Sequence, residues 1–318
     1  MSWLPLPPEA STIAPRVDHL FYAVTAVTGT VAIAIFVTMV VFGVRYRAGS
    51  PAPRREDDPQ GQARTRTRIE IAWTLTPLLL FIAAFAWAAR VYVARATAPP
   101  NALELYVVAK QWMWGLQHPG GQREIDEMHV PRGQPIKLVM TSQDVIHSFF
   151  VPAFRLKQDV LPGRFTEMWF TPTQAGRFHL FCAEYCGTDH SRMHGDVVVM
   201  EPAEFARWLD AHRGAPDMAG RGEALFRQFG CSGCHGENAA VHAPNLAGLF
   251  GRIVPLADGS TVIADERYVR DSILVPTKEV AAGYEPIMPS FAGQIGDEEI
   301  LDLIAYIKSL ANTRERPR

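Results

Sequence analysis

From Leu20 to Val44 the chain is almost unbroken apolar and carries no charge. About 20 such residues in a helix cross a bilayer core, where only a helix or a closed barrel satisfies its own backbone. The run predicts a transmembrane helix and is too long to suit a buried core helix. Arg45, Arg47, Arg54, Arg55, Arg64, Arg66 and Arg68 crowd the connection that follows, and such a basic excess marks the cytoplasmic side. A second apolar run, Ile71 to Ala89 with Trp73 and Trp87 near its ends, returns the chain to the outside near Arg90 and Tyr92. Both termini and all later residues are then extracytoplasmic. Residues 1–18 hold Pro5, Pro7, Pro8 and Pro15, with Arg16 as their only basic residue. They lack the basic start and prompt apolar run of a secretory signal, and read as an exposed leader.

At 318 residues the chain has room for two or three domains. A formal charge of −2 with 48% hydrophobic residues excludes a nucleic-acid binder and a disordered tail. The four cysteines fall in two pairs, Cys182/Cys186 and Cys231/Cys234, each inside a cofactor-like motif. None is left for a structural disulfide, yet an oxidising compartment is compatible if metal and haem occupy every thiol.

After the spans the pattern changes. Leu103–Val108, Ile136–Met140, Phe165–Phe170, Phe178–Phe181 and Asp196–Met200 are β-rich, with turn signals at Pro131-Arg132-Gly133 and Pro162-Gly163-Arg164. They predict a small β-sandwich or barrel, with ligands presented from loops at one end. The twelve residues Cys182 to Met193 gather two thiols, an imidazole and a thioether, the ligand types that redox-active copper selects. A zinc ribbon would space its cysteines by two residues and need a second pair, and a blue-copper site needs one thiolate. Two thiolates on one tight loop can bridge two metals, each completed by one histidine and one weak ligand. His147, in Asp144-Val145-Ile146-His147-Ser148-Phe149, is the plausible second histidine.

Residues 203–213 read as a short amphipathic helix, closed by a boundary at Gly214-Ala215-Pro216. Beyond it, Cys231-Ser232-Gly233-Cys234-His235 has the form of a c-type haem attachment site, with His235 as proximal ligand. Met288, in Met288-Pro289-Ser290-Phe291, is the candidate distal ligand. The only other methionine here, Met218, precedes the motif. Asp297 to Ile307 has an acidic first turn and apolar residues at helical spacing, a terminal helix.

The constellation Cys-x-Glu-x-Cys-x-x-x-His-x-x-Met with an upstream His-Ser-Phe resembles the dinuclear CuA site of cytochrome c oxidase subunit II. In order, the chain resembles the caa-type form of that family, with a fused C-terminal cytochrome c domain. The resemblance implies a leader at 1–19, a two-helix transmembrane hairpin at 20–98, a cupredoxin-like CuA β-sandwich at 99–202, a linker helix at 203–216 and an all-α cytochrome c domain at 217–318. It implies copper ligands His147, Cys182, the Glu184 carbonyl, Cys186, His190 and Met193, and haem bound through Cys231, Cys234, His235 and Met288. The Glu184 carboxylate would hold Mg at the junction with subunit I. Trp112, in Gln111-Trp112-Met113-Trp114, would admit electrons, and Trp114 is core packing. Leu156 to Arg164 would be a structural loop under the copper, facing subunit I, and Pro244-Asn245-Leu246 would pack on the proximal side of the haem.

Glu70 opens the second span in Glu-Ile-Ala-Trp-Thr-Leu-Thr-Pro. As a helix-opening carboxylate it needs no function, but the resemblance places it at the mouth of a proton-uptake path. Gln143 departs from the family, which often has an acidic residue there for docking soluble cytochrome c. The implied function is electron transfer from haem through CuA to subunit I, for oxygen reduction coupled to proton pumping in a bacterial inner membrane. Tethering would supply a local concentration on the order of millimolar. Implied partners are subunits I and III, with a reduced cytochrome or quinol-oxidising complex as donor. The alternatives are a CuA-containing nitric oxide reductase, a quinol-oxidase-type structural subunit, which lacks these ligands, and a copper chaperone, which needs no covalent haem. His19, His118, His129, His179, His212 and His242 have no ligand-spaced partners, and His194 competes with Met193.

Overall fold

The computed structural model describes residues 6–51, 59–213, 216–236, 239, 241 and 243–310. Pro5, Arg54, Arg55, Gly214, Ala215 and His242 lie outside the described residues. The chain divides into two compact units, residues 12–97 and the remainder.

The first unit is the helix pair α1 (Ala14–Arg45) and α2 (Pro59–Val93). Both helices outrun their apolar cores. α1 starts at Ala14, with Pro15 in its first turn, where a missing N–H costs nothing. α2 takes up Arg64, Arg66 and Arg68 as helix rather than loop, and so Glu70 does not open it. Phe36, Met39, Phe81 and Phe85 stand exposed along the pair. Ala14–Arg45 and Arg64–Val93 are each long and apolar enough to span a membrane.

The second unit begins with a short strap rather than a free leader. Ala10 N–H donates to Ala153 O, Thr173 N–H donates to Ala10 O, and Ser11 pairs with Pro172. Its body is a sandwich of two five-stranded sheets. The first is ordered β3-β2-β1-β5-β8, from β1 (Leu103–Lys110), β2 (Met113–Gln117), β3 (Arg123–Ile125), β5 (Ile136–Ser142) and β8 (Thr166–Phe170). The second is ordered β4-β10-β9-β6-β7, from β4 (Glu127–Pro131), β6 (His147–Val151), β7 (Leu156–Val160), β9 (Gly176–Cys182) and β10 (His194–Met200). β1 runs parallel to β5 and β10 parallel to β4; the other neighbours are antiparallel. Leu105, Val107 and Ala109 of β1 alternate inward, as the period of two requires, onto a core that includes Trp114, Phe149, Phe154 and Leu180. The segment expected as a loop at 156–164 is a strand for its first five residues, because Leu156–Val160 pairs with His147–Val151.

α3 (Pro202–Ala211) leads to the helical region: α4 (Met218–Gln228), the single turn α5 (Ser232–His235), α6 (Glu266–Leu274) and α7 (Asp297–Ser309). A ribbon of β11 (Ile253–Pro255) and β12 (Thr261–Ile263) adds strand to a region expected to be all helical. α4 and α7 cross at Gly222, where a Cβ would lie 2.0 Å from Asp302 O. Only glycine lets the two backbones approach so closely. Across that crossing Arg221 makes a bidentate pair with Asp302, both contacts 2.8 Å.

This helical region docks on the outer face of the first sheet. Tyr106, Val108 and Val139 point away from the sandwich core yet are buried, in one cluster with Met218 and Leu301. Around that contact runs an ion network. Lys137 of β5 lies 2.9 Å from Glu167 and 3.2 Å from Glu266 of α6, and Lys308 of α7 lies 2.7 Å from Glu266 and also pairs with Glu104 of β1. A tether alone would leave those strand faces wet. The two modules share a core instead.

Candidate metal and haem sites

One end of the sandwich gathers the expected copper residues. His147 is the first residue of β6 and Cys182 the last of β9, so paired strands fix both. The loop from Cys182 to Met193 then folds back and returns Met193 beside its start, where Cys182 N–H donates to Met193 O at 3.1 Å. Cys182 Sγ lies 3.8 Å from Cys186 Sγ, 3.9 Å from His147 Nδ1 and 3.2 Å from Glu184 O. Cys186 Sγ lies 3.4 Å from His190 Nδ1 and 3.7 Å from Met193 Sδ. Each sulfur thus has its own imidazole and its own weak donor. His147, Cys182, Cys186 and Met193 are buried, whereas His194 is exposed, so Met193 is the residue brought to the sulfurs. The Glu184 side chain is exposed beside the site.

Charge fits the same reading. Burial opposes ionisation of Cys182, but hydrogen bonds from His147 and from backbone at Glu184 and Ser148 bring it down to about 6. Burial and then the neighbouring Cys182 push Cys186 up to about 12. The pair carries one negative charge readily and needs a cation to carry two, which suits a soft metal bridged by thiolates.

Asp144, quoted only as part of a motif in the sequence, organises this end. Its Oδ1 lies 2.8 Å from His147 Nε2, and its Oδ2 accepts the Gln111 N–H at 2.6 Å. With Nε2 engaged, Nδ1 is the nitrogen that faces Cys182. The Asp-x-x-His spacing was the available signal for this carboxylate–histidine pair. Burial works against the Asp144 carboxylate, but the Gln111 N–H and His147 hold it below its usual value. Gln111 Nε2 and Trp112 Nε1 both donate to Cys186 O, at 2.8 and 3.2 Å. Half-buried Trp112 is therefore attached to the copper loop, while Trp114 is wholly buried against Phe149.

The helical region holds an open, largely apolar cavity lined by Cys231, Cys234, His235, Pro244, Leu246 and Met288 among others. Both cysteines are free thiols. His235 Nδ1 lies 2.9 Å from Pro244 O, so a proton on Nδ1 would leave Nε2 available to iron. Met288 lines the same cavity, whereas Met218 is buried in the docking core. Two thiols, a fixed imidazole and a thioether around an apolar cavity fit a covalent haem.

Other residues are placed differently from expectation. Glu70 is interior to α2, 2.8 Å from Arg66 one turn earlier. His118 and His129 are not partnerless, because both contact Glu124, at 2.8 and 2.5 Å. His179 meets Asp196 at 3.0 Å, and His212 stacks on Trp208.

The fold and these sites define a membrane-anchored protein that joins a thiolate–imidazole metal centre on a β-sandwich to a c-type haem module. Residues 117–201 match the family described as cytochrome c oxidase subunit II, periplasmic domain, and residues 219–311 match cytochrome c. The alternative cytochrome c oxidase subunit 2 of Bradyrhizobium diazoefficiens is 26% identical over 262 residues, which cover 71% of this chain and 90% of the relative. The cytochrome c oxidase subunit 2 of Alkalihalophilus pseudofirmus is 27% identical over 301 residues, 89% of this chain and 84% of the relative. A crystal structure of the periplasmic domain of subunit II of cytochrome oxidase from Bradyrhizobium japonicum is 34% identical, covering 36% of this chain and 96% of that one, with a TM-score of 0.35. The chain belongs to the cytochrome c oxidase subunit II family, in the form with a C-terminal cytochrome c domain. It is a subunit of a cytochrome c oxidase, and its family implies CuA, haem c and a haem–copper subunit I as partner.

Proposed function

We propose that this chain takes single electrons into its C-terminal domain and delivers them through its β-sandwich to subunit I, for oxygen reduction coupled to proton pumping. Cys231, Cys234, His235 and Met288 would hold haem c, and His147, Cys182, the Glu184 carbonyl, Cys186, His190 and Met193 would hold the copper pair. Bound there, the two groups would supply one-electron storage. The chain's own part is to fix both donor sets within one compact unit. Asp144 orients His147, Pro244 orients His235, and the buried contact of Leu301 and Met218 with Tyr106, Val108 and Val139 sets one module against the other. The observation that carries this reading is the convergence of two sulfurs, two imidazoles, a thioether and a carbonyl at one end of the sandwich.

Residues 20–98 would form the membrane hairpin, 99–202 the copper domain and 217–318 the haem domain, with both termini on the periplasmic side of a bacterial inner membrane. The exposed Glu184 carboxylate would take Mg at the junction with subunit I, since hard cations prefer carboxylate oxygen. Subunit III and a cytochrome or quinol-oxidising donor complete the set of partners. Elemental analysis of the purified oxidase tests the ligand assignment. Cys186→Ser is expected to abolish the mixed-valence copper EPR signal while haem c stays bound. An unchanged signal in that variant would refute it.

A further inference from the structure

Apart from both cofactor sites, the far edge of the sandwich holds a cluster that the electron-transfer reading does not use. Glu124 of β3 and Glu127 and His129 of β4 bring a carboxylate, a second carboxylate and an imidazole nitrogen within 4.8 Å of one another. The local fold explains the meeting. Asp126, at φ 57°, turns the chain sharply between β3 and β4. Glu127 and His129 are two residues apart on one strand and so share a face, with Glu124 beside them across the turn. Glu124 is nearly buried, its side chain 7% exposed. We propose that Glu124, Glu127 and His129 form a binding site for a divalent transition cation of zinc type.

The donor chemistry suits that ion. One imidazole and two carboxylates with room for water are a common zinc set, and no thiol is present to draw copper(I) instead. The surroundings are built as supports of ligands are built. His118 Nε2 holds Glu124 Oε1 at 2.8 Å, leaving Oε2 toward His129 Nδ1 at 2.5 Å. Trp208 of α3 stacks on the His129 ring, with centroids 4.5 Å apart and planes at 17°, fixing its orientation. One cation competes: Arg177 pairs with Glu127 at 2.6 Å, but its side chain is 56% exposed and also reaches Asp196 at 2.9 Å. It can keep Asp196 and release Glu127. Zinc bonds of about 2.0–2.2 Å place ligand atoms roughly 3.4 Å apart in a tetrahedron, so Glu124 and His129 would part by about 1 Å on binding.

The test uses the full-length protein with copper and haem in place, exposed to zinc(II) and then dialysed. The expected result is one zinc per haem iron, an X-ray absorption shell of nitrogen and oxygen only, and a raised unfolding temperature. Glu127→Gln/His129→Gln is expected to lose that zinc with its copper and iron content unchanged. His118→Phe, which leaves the three ligands intact, should weaken binding about 10–100-fold. Equal zinc retention by wild type and the double variant would overturn the proposal. So would sulfur in the absorption shell, which would place the zinc on the copper thiols, or the absence of retained zinc in the wild type. If the double variant loses haem through misfolding, the absorption shell and the His118→Phe titration still decide.

Discussion

Gln117 Nε2 donates to Asp302 Oδ1 at 3.2 Å, joining residues 185 positions apart. The first ends β2 of the copper-bearing sandwich, and the second lies on the last helix of the haem-bearing region. Asp302 also takes both arms of Arg221, so one buried carboxylate ties the crossing of α4 and α7 to the sheet. The two cofactor sites therefore belong to a single body. Their spacing is set by packing rather than by the length of a linker.

The ion network at this junction makes the docking sensitive to acid. Burial raises the Glu266 carboxyl, but Lys308 and Lys137 bring it down to about 2. An unfolded glutamate titrates near about 4.3. A depressed folded value means the contribution is complete above that pH and lost as pH falls towards about 2. Amide protection factors, corrected for the intrinsic rate, at Tyr106 and Val139 should therefore fall over this window, before those of the sandwich core at Leu105 and Val107. Glu266→Gln leaves two lysines sharing fewer carboxylates and should cost about 3 kcal/mol, measured by denaturant unfolding. Protection factors that stay unaltered from about pH 4.3 to 2 would remove Glu266 from the docking account.

How much of this was legible follows from what each signal depends on. The spans and the Cys182–Met193 and Cys231–His235 stretches depend on local composition and spacing, and could be read directly. The docked face depends on distant contact. Tyr106, Val108 and Val139 carried a signal, because apolar residues on both faces of β1 and β5 mark strands covered on both sides. What would cover them was not in those strands. Glu70 was misplaced because the apolar run begins next to it, whereas backbone hydrogen bonding carries α2 on through the polar residues before it. His118 and His129 looked solitary for a similar reason. Glu124 meets them only once Asp126 has turned the chain.

Asp144 contacts no sulfur, yet it engages His147 Nε2 and the Gln111 N–H together. Asp144→Ala should free the imidazole to rotate and loosen the 111–112 turn from the copper loop. Losing such a supporting partner lowers metal affinity about 10–100-fold. Copper titration of the variant, read by its thiolate absorption, checks this. Asp144→Asn, which keeps one hydrogen-bonding oxygen, should fall between. Equal affinity in all three proteins would leave Asp144 without a role in copper binding.

Because Glu70 is interior to α2, a helix-opening role cannot explain it, and its ion pair with Arg66 becomes the relevant restraint. If Glu70 passes protons towards subunit I, Glu70→Ala should slow steady-state turnover while electron delivery to copper keeps its rate. Arg66→Ala should release the carboxylate and leave turnover at or above wild type. Wild-type turnover in Glu70→Ala reduces the pair to a helix-stabilising contact.

If the proposed electron transfer from the haem module to the copper end holds, two routes are open to it, and substitution separates them. Trp112 is half-buried and its Nε1 donates to Cys186 O, with its ring beside Gly187. Phe165 packs against both the haem-side core and the docking core, and Ser142 N–H, just before Asp144, donates to Leu161 O at 3.3 Å in the same turn region. Trp112→Phe keeps a ring, and Gln111 still anchors the Cys186 carbonyl. Trp112→Ala removes the ring. If electrons pass through Trp112, flash-initiated transfer from haem to copper should slow strongly in Trp112→Ala and mildly in Trp112→Phe, with the copper EPR signal unchanged. Phe165→Leu should then keep the wild-type rate, since leucine still fills the docking core. The reverse pattern, slow transfer in Phe165→Leu and wild-type transfer in Trp112→Ala, would assign the route to the docked interface and leave Trp112 as an anchor of the copper loop.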